Sequence, residues 1–381
     1  MNTDNRIVMF VSGDFCPFIS DMNKLFEGHD ADKVFGGLYK MIRDADLSVT
    51  NLECPLTLSK SKIEKLGPNL KARPEVASFL KSAGFDVVTL ANNHIYDYGQ
   101  QGVVDTLDML KKHNIYYVGA GLNLEEANKT FYIEINGIKL AIVNFAENEY
   151  SCADDKHGGA NPMNIIDNTY QIKDACTKVD HVLLIIHGGH ELYPYPSPGM
   201  MKRYRYYAGL GVSAVITHHP HCIGGYEKYK GVPIFYSLGN FLFPSLTRSV
   251  NPLWYEGYII QLVLTCDKSE FSIIPYEQCK EGRLAIDLIN SNKILDKINK
   301  INKVINDQNQ IIKNWQQYIK TNKEYYLAKI SNINRYKMRI LGKLGLLSRF
   351  YNKKHLHYIR QMIRCESHKE KTLSMLDDLL G

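Results

Sequence analysis

Five apolar runs along the chain each stop at residues able to bind metal or move protons. IVMFVSGD ends in Asp14, LSVTNLE in Glu53, and DVVTLANNH in Asn92, Asn93 and His94. HVLLIIHGGHE ends in His187, His190 and Glu191, and SAVITHHPH in His218, His219 and His221. Short apolar runs bounded by turn residues read as strands buried on both faces, the habit of parallel sheets. Ligands gather at the carboxyl ends of such strands. The pattern therefore predicts one sheet edge that carries Asp, Glu, Asn and His together.

Helical periods lie between the runs. HDADKVFGGLYKMIRDAD puts Val34, Phe35, Leu38, Met41 and Ile42 on one face. PEVASFLKSAG predicts a helix closed by a left-handed Gly84, and VVDTLDMLKKHN, NTYQIKDACTKV and MMKRYRYYAGLG predict three more. Asn136-Gly137, between two alternating runs, predicts a hairpin, and residues 147–163 read as a polar loop. PIFYSLGNFLF, YEGYIIQLVLTC and EFSIIPYE predict an antiparallel margin. The expected class is a layered α/β fold.

Charge divides the chain. Residues 291–381 hold 19 Lys and Arg against 7 Asp and Glu, whereas the rest holds 27 against 33. The predicted division is a folded domain over 1–290 and a basic helical extension, rich in Lys, Asn and Tyr, over 291–381. Ile294, Ile298, Ile301, Val304 and Ile305 form a helical stripe at its start, and KKHLHYIRQMIR reads as a basic amphipathic helix. The extension is expected to pack as an appendage, to form a stalk, or to meet an anionic membrane surface or a synthesis complex. The acidic balance of the rest offers no basic track for phosphates, so no nucleic-acid partner is expected. KRYRYY, Lys202 to Tyr207, reads as a mixed helix face.

The eight cysteines show no C-x-x-C pair and suit a reducing compartment. MNTDNRIVMFVSGD lacks a leader pattern, and no run approaches the roughly 20 apolar residues that span a bilayer. A cytoplasmic protein, or one peripheral at the inner membrane face, is expected.

The chemistry suggested is metal chemistry. Asp14, Glu53, Asn93, His187, His219 and His221 are the right donors for two divalent ions such as Mn, Fe or Zn, with either carboxylate able to bridge. Such a pair polarises a phosphoryl or carbonyl oxygen and acidifies a bound water. His94 is then free as acid or base, with Asp97 orienting it. The plainer alternative makes Asp14 a helix cap and Asn92, Asn93 and Asp97 turn groups.

GDFCPF, NLECPLT, LANNHIYDYG, HGGHELY and ITHHPHCIGGYEKYKGVPIFYSLGNF resemble the CapA-like bacterial capsule-synthesis family (poly-γ-glutamate, PGA_cap). That family is similar in fold to calcineurin-like metallophosphoesterases. The resemblance implies a four-layered α/β/β/α sandwich, metal roles for the six donors, and His94 as the acid beside the leaving group. Two departures stand out. Cys16 occupies the place of the histidine in the phosphoesterase Asp-x-His motif, either as a soft ligand or leaving one ion short. Glu53 stands where those enzymes carry a bridging Asp.

The expected function is metal-dependent hydrolysis in capsule or surface-polymer biosynthesis, of a phosphoester ahead of a γ-glutamyl amide. The alternative is a non-catalytic, polymer-binding accessory subunit. An anionic polymer, or a phosphorylated or γ-glutamyl substrate, is the expected partner. Substrate contacts are expected from Arg73, His190, Glu191, Tyr193, Tyr195 and Asn240.

Overall fold

Alternation along the strands sorts the apolar side chains into three separate layers. The computed structural model describes residues 5–18, 31–65, 67–245, 251–280, 285–288, 292–331 and 335–347, with backbone alone for 323–331 and 335. One sheet runs, edge to edge, β16 (Ile286–Leu288), β15 (Ser269–Gln278), β14 (Glu256–Thr265), β1 (Arg6–Phe15), β2 (Leu47–Leu52), β3 (Val87–Thr89) and β4 (Tyr116–Val118). A further strand, β13 (Asn240–Leu242), pairs with the end of β1. The other sheet runs β11 (Tyr226–Tyr229), β12 (Val232–Phe235), β10 (Ala214–His218), β9 (His181–His187), β7 (Ile138–Ala146) and β6 (Phe131–Ile135). β5 (Ala120–Gly121) and β8 (Gly159–Ala160) form a small separate ribbon.

Ile7, Met9 and Val11 of β1 meet Leu140, Ile142, Leu183, Ile185 and Ile216 in the layer between the sheets. The intervening Phe10 points the other way, into a cluster with Phe35, Phe79, Phe85 and Leu107. On the far side of the second sheet, Val143, Leu184, Ile186 and Val215 pack against Ile172, Met201, Tyr204 and Tyr207. The order is helix, sheet, sheet, helix: the four-layered α/β/β/α sandwich. Each fully buried Leu, Ile, Val or Phe side chain contributes roughly 1.5–3 kcal/mol through removal from water.

Local signals hold at several turns. Gly84 closes helix Val76–Ala83 at φ 102°, and Asn136 and Gly137 turn the β6–β7 hairpin at φ 52° and 77°. The helix expected through residues 29–46 is instead two pieces, Ala31–Phe35 and Leu38–Asp44, separated at Gly36 with φ 51°.

The antiparallel margin needs correction. β14 and β15 are antiparallel, but β12 runs parallel to β10 and β13 parallel to β1. Between Phe235 and Asn240 the chain leaves the second sheet and enters the first, and each strand takes the direction of the sheet it joins. The crossing needs glycine at Gly13, where a Cβ would stand 1.9 Å from the carbonyl oxygen of Gly239.

The division near residue 290 also moves. Helix Asn292–Ile305 buries Ile294 and Ile298 in the layer between the sheets, and Ile301 and Ile305 in the outer layer. Two compact units divide at Ile312 and Lys313. Lysines and asparagines on the outer face of this helix give it a distinct composition, while its apolar face belongs to the sandwich. The second unit holds most of helix Gln308–Ser331 and all of Arg335–Lys343. KKHLHYIRQMIR lies outside the described residues.

Candidate metal centre

Strand register brings the donors to one level. Asp14 pairs with Asn51 across β1 and β2, and Glu53 extends that pairing through its N–H to the Phe15 carbonyl, 2.9 Å. On the second sheet His187 and His218 stand opposite each other at the ends of β9 and β10. The next turn holds His219 and His221 at φ 97° and 53°, either side of Pro220. Non-glycine residues rarely adopt positive φ, and such strain concentrates at ligand sites. Here it turns both imidazoles back toward the first sheet.

Two overlapping sets of donors result. Glu53, His187 and His219 form one, and Asp14, Glu53 and His221 the other, each with its donor atoms within 4.8 Å of one another. Glu53 is common to both. In the first set His187 Nε2 lies 3.2 Å from His219 Nδ1, 3.5 Å from Glu53 Oε1 and 3.0 Å from Asn93 Oδ1. Donors about 2.1 Å from one tetrahedral ion stand about 3.4 Å apart. In the second set His221 Nε2 is 3.6 Å from Glu53 Oε1, and its Nδ1 is 3.5 Å from Asp14 Oδ2.

The electrostatics fit cations. Glu53 is buried, and neither of its oxygens has a hydrogen-bond partner. Burial and then the Asp14 charge hold its pKa well above the usual range. Burial, reinforced by neighbouring imidazoles, pushes His187 well below its usual value and His219 down to about 3. Neutral imidazoles are the ligating form, and an anion that no hydrogen bond satisfies is the natural bridge between ions.

His94 sits beside the first set in the turn after β3. Its Nδ1 is 2.6 Å from Asp97 Oδ2, and its backbone N–H donates to Asn92 Oδ1, 3.1 Å. Asn92 in turn donates to the Leu52 carbonyl, 2.8 Å, so it is a turn group tying β3 to β2. Burial lowers the His94 pKa, with Asp97 opposing.

The other expected residues divide. Glu191 is exposed at the mouth, close enough that its charge raises the pKa of both Glu53 and Glu149. His190, Tyr193 and Tyr195 form edge-on ring contacts, and their loop is latched by the Leu192 N–H to the Pro220 carbonyl, 2.8 Å. Asn240 is buried instead of facing a substrate, and its Oδ1 lies 2.9 Å from His221 Nδ1. Arg73 is exposed and forks onto Glu75, with both bonds at 3.2 Å. Cys16 is drawn into the apolar cluster that also holds Cys54, and among the described residues it joins neither donor set.

Several site residues were missed by sequence reasoning. Asn51 donates to Asp14 Oδ1, 2.7 Å, and lies 3.4 Å from His187 Nδ1. Its place two residues before Glu53, which continues the pairing of β2 by one hydrogen bond, was a usable signal, because extended side chains repeat every second residue. Lys65 is buried and donates to Asp97 Oδ1 and to the Asn93 carbonyl, 3.3 Å. Trp254 and Phe243 pack beside the His221 ring, with centroids 4.9 and 5.1 Å away. These come from loops and from the short 3₁₀ helix Pro252–Tyr255, and no local pattern marks them.

A helix-flanked double sheet carries, at its strand ends, two overlapping sets of carboxylate and imidazole donors that could hold metal ions. Residues 8–245 match the family described as bacterial capsule synthesis protein PGA_cap, and the chain belongs to that family. It is 31% identical over 231 residues to the capsule biosynthesis protein CapA of Bacillus anthracis, covering 58% of this chain and 56% of that protein. It is 33% identical over 226 residues to the PGA biosynthesis protein CapA of Bacillus subtilis, covering 58% and 60%. The chain thus matches little more than half the length of these relatives. Among solved structures, a phosphatase from Mycoplasma pneumoniae aligns with TM-score 0.44 and 15% identity, over 72% of this chain and 95% of that one. Among the described residues, no helix is long and apolar enough to cross a membrane.

Proposed function

We propose that the chain is a metal-dependent hydrolase acting in capsule or surface-polymer biosynthesis, with a phosphoester as substrate. Glu53 carries this reading: a buried carboxylate, unpartnered at both oxygens, between two donor sets. An ion of that kind left alone in the interior is costly, and cations relieve the cost. Asp14, Glu53 and His221 would hold one ion, and Glu53, Asn93, His187 and His219 the other, from the Mn, Fe and Zn group. When bound, such a pair supplies Lewis-acid polarisation of a phosphoryl oxygen and a lowered pKa for water.

The chain itself handles the proton. Asp97 fixes His94 by Nδ1, which leaves Nε2 as the atom that exchanges a proton with the substrate. Burial keeps the free ring neutral, and an anionic phosphoester beside it favours the imidazolium. His94 then delivers its Nε2 proton to the leaving oxygen. Glu191 and the His190, Tyr193 and Tyr195 loop form the rim that contacts the rest of the substrate. An anionic polymer or its phosphorylated or γ-glutamyl precursor is the proposed partner.

The test is metal content per chain, measured without a histidine tag, for the wild type and the His219→Ala/His221→Ala variant. About two equivalents, falling in the variant, support the reading. His94→Ala should then keep its metal while losing about 10²–10⁴-fold in turnover against phosphoesters. A wild type that takes up no manganese, zinc or iron would overturn the hydrolase and leave a polymer-binding accessory subunit.

A further inference from the structure

Asn240 has both ends of its side-chain amide committed. Its Nδ2 donates to the Trp254 carbonyl, 3.1 Å, and lies 3.5 Å from the carbonyl oxygen of His221. A carbonyl oxygen only accepts, so the NH₂ end of the amide belongs on that side. The amide oxygen is left facing the His221 ring, 2.9 Å from Nδ1. Because that oxygen also only accepts, Nδ1 is the nitrogen that carries the proton of the neutral imidazole. Nε2, 3.6 Å from Glu53 Oε1, is then the nitrogen with a lone pair to give. Asp14 Oδ2 is farther from Nδ1, at 3.5 Å, and takes the His219 backbone N–H at 3.1 Å.

The surroundings keep the amide from turning over. Asn240 is fully buried and registered against Asp14 across β13 and β1, and its own carbonyl accepts from the Tyr276 hydroxyl, 2.9 Å. The Trp254 carbonyl also accepts from Gln278 Nε2, 2.9 Å, and the Trp254 indole N–H donates to the Phe243 carbonyl, 2.7 Å. The Trp254 ring lies against the His221 imidazole. Trp254 thus contributes twice, its carbonyl to the amide and its ring to the imidazole.

We propose that Asn240 is the positioning residue of the Asp14 donor set: anchored on Trp254, it holds His221 as the Nδ1–H tautomer with Nε2 free to ligate. Ligating imidazoles regularly depend on such a partner at their second nitrogen. The proposal rests on the metal reading of the site.

The first measurement needs no change at Asn240. Full-length, metal-free protein labelled with ¹⁵N-histidine is examined by NMR at about pH 8, where an ordinary imidazole is neutral. The His221 signals, assigned by their loss in His221→Gln, should show a protonated Nδ1 and a bare Nε2. A protonated Nε2 would overturn the proposal and leave the metal reading untouched. Asn240→Ala should lose the tautomer preference and weaken one of two Zn²⁺ binding events by about 10–100-fold against a competing chelator, with the stoichiometry unchanged at saturation. Asn240→Asp, which still accepts from Nδ1–H, should keep the tautomer. A wild-type tautomer ratio in Asn240→Ala, with affinity within about threefold, would also overturn the proposal. A wild type that binds no Zn²⁺ would instead sink the proposed function, and the ligating role of His221 with it.

Discussion

Oδ2 of Asp97 lies 2.6 Å from Nδ1 of His94, three residues back in the same turn. The other oxygen of Asp97 accepts from the buried ammonium of Lys65, which also stands 3.2 Å from the same His94 nitrogen. The cation lowers the His94 pKa, and removing it should raise that pKa. If the proposed phosphoester hydrolysis holds, Lys65→Met should displace the alkaline limb of its pH profile upward, because the imidazolium persists to higher pH. An unchanged limb would show that Lys65 serves only to anchor its loop.

Glu53→Gln separates the metal role of this residue from its cost to the fold. The folded-state pKa of Glu53 is raised, so the native protein binds the extra proton between the ordinary glutamate value and that raised one. Metal-free stability must therefore fall as pH rises through this window. The glutamine variant should melt higher than metal-free wild type at neutral pH, yet fail to gain stability when metal is added. Calorimetry with and without Zn²⁺ checks both halves.

The buried imidazoles give the opposite slope. His219 takes its proton at about 3 when folded and near the ordinary histidine value when unfolded, and His187 is shifted the same way. Between those limits the unfolded chain binds more protons, so stability is lost as pH falls. Acid titration of the metal-free protein should show unfolding that begins below about pH 6.5 and is milder in His219→Asn.

Gly13→Ala tests the crossing that sets Asn240 beside Asp14. The added methyl would stand 1.9 Å from a backbone oxygen, which no side-chain rotation relieves. Overpacking of this kind costs about 1–3 kcal/mol or more. The variant should unfold at lower denaturant and bind metal more weakly, because Asp14 moves with the strand. A wild-type urea midpoint would show that the crossing yields easily.

Ile298→Ala measures whether the first helix beyond residue 290 belongs to the sandwich. Ile298 is 1% exposed in the layer between the sheets. Truncation there should cost about 2–5 kcal/mol, as for other buried Ile→Ala changes. A helix that merely flanked the domain would show almost no change in urea denaturation.

The strands were legible because each is a short apolar run ending in a polar residue, and register then carries those ends to one level. Asp14, Glu53, Asn93, His187, His219 and His221 converge for that reason. Composition misled where a helix has two characters. Lys293, Lys297 and Lys300 made residues 292–305 look like part of the extension, although Ile294 and Ile298 on the same helix are core. Direction was lost at residues 232–242, because no local pattern shows a chain changing sheets. Lys65 was out of reach for a related cause: it approaches the centre from a loop, and loop residues carry no period from which a facing can be read.

The donors fall on both sides of the sandwich, with Asp14, Glu53 and Asn93 from strands before residue 100 and His187, His219 and His221 from strands well after it. No contiguous stretch of chain contains either donor set. A nascent chain therefore has no centre to fill until residues as far as His221 have left the ribosome and the two sheets have closed on each other. An ion held by these donors would tie the early half of the chain to the late half.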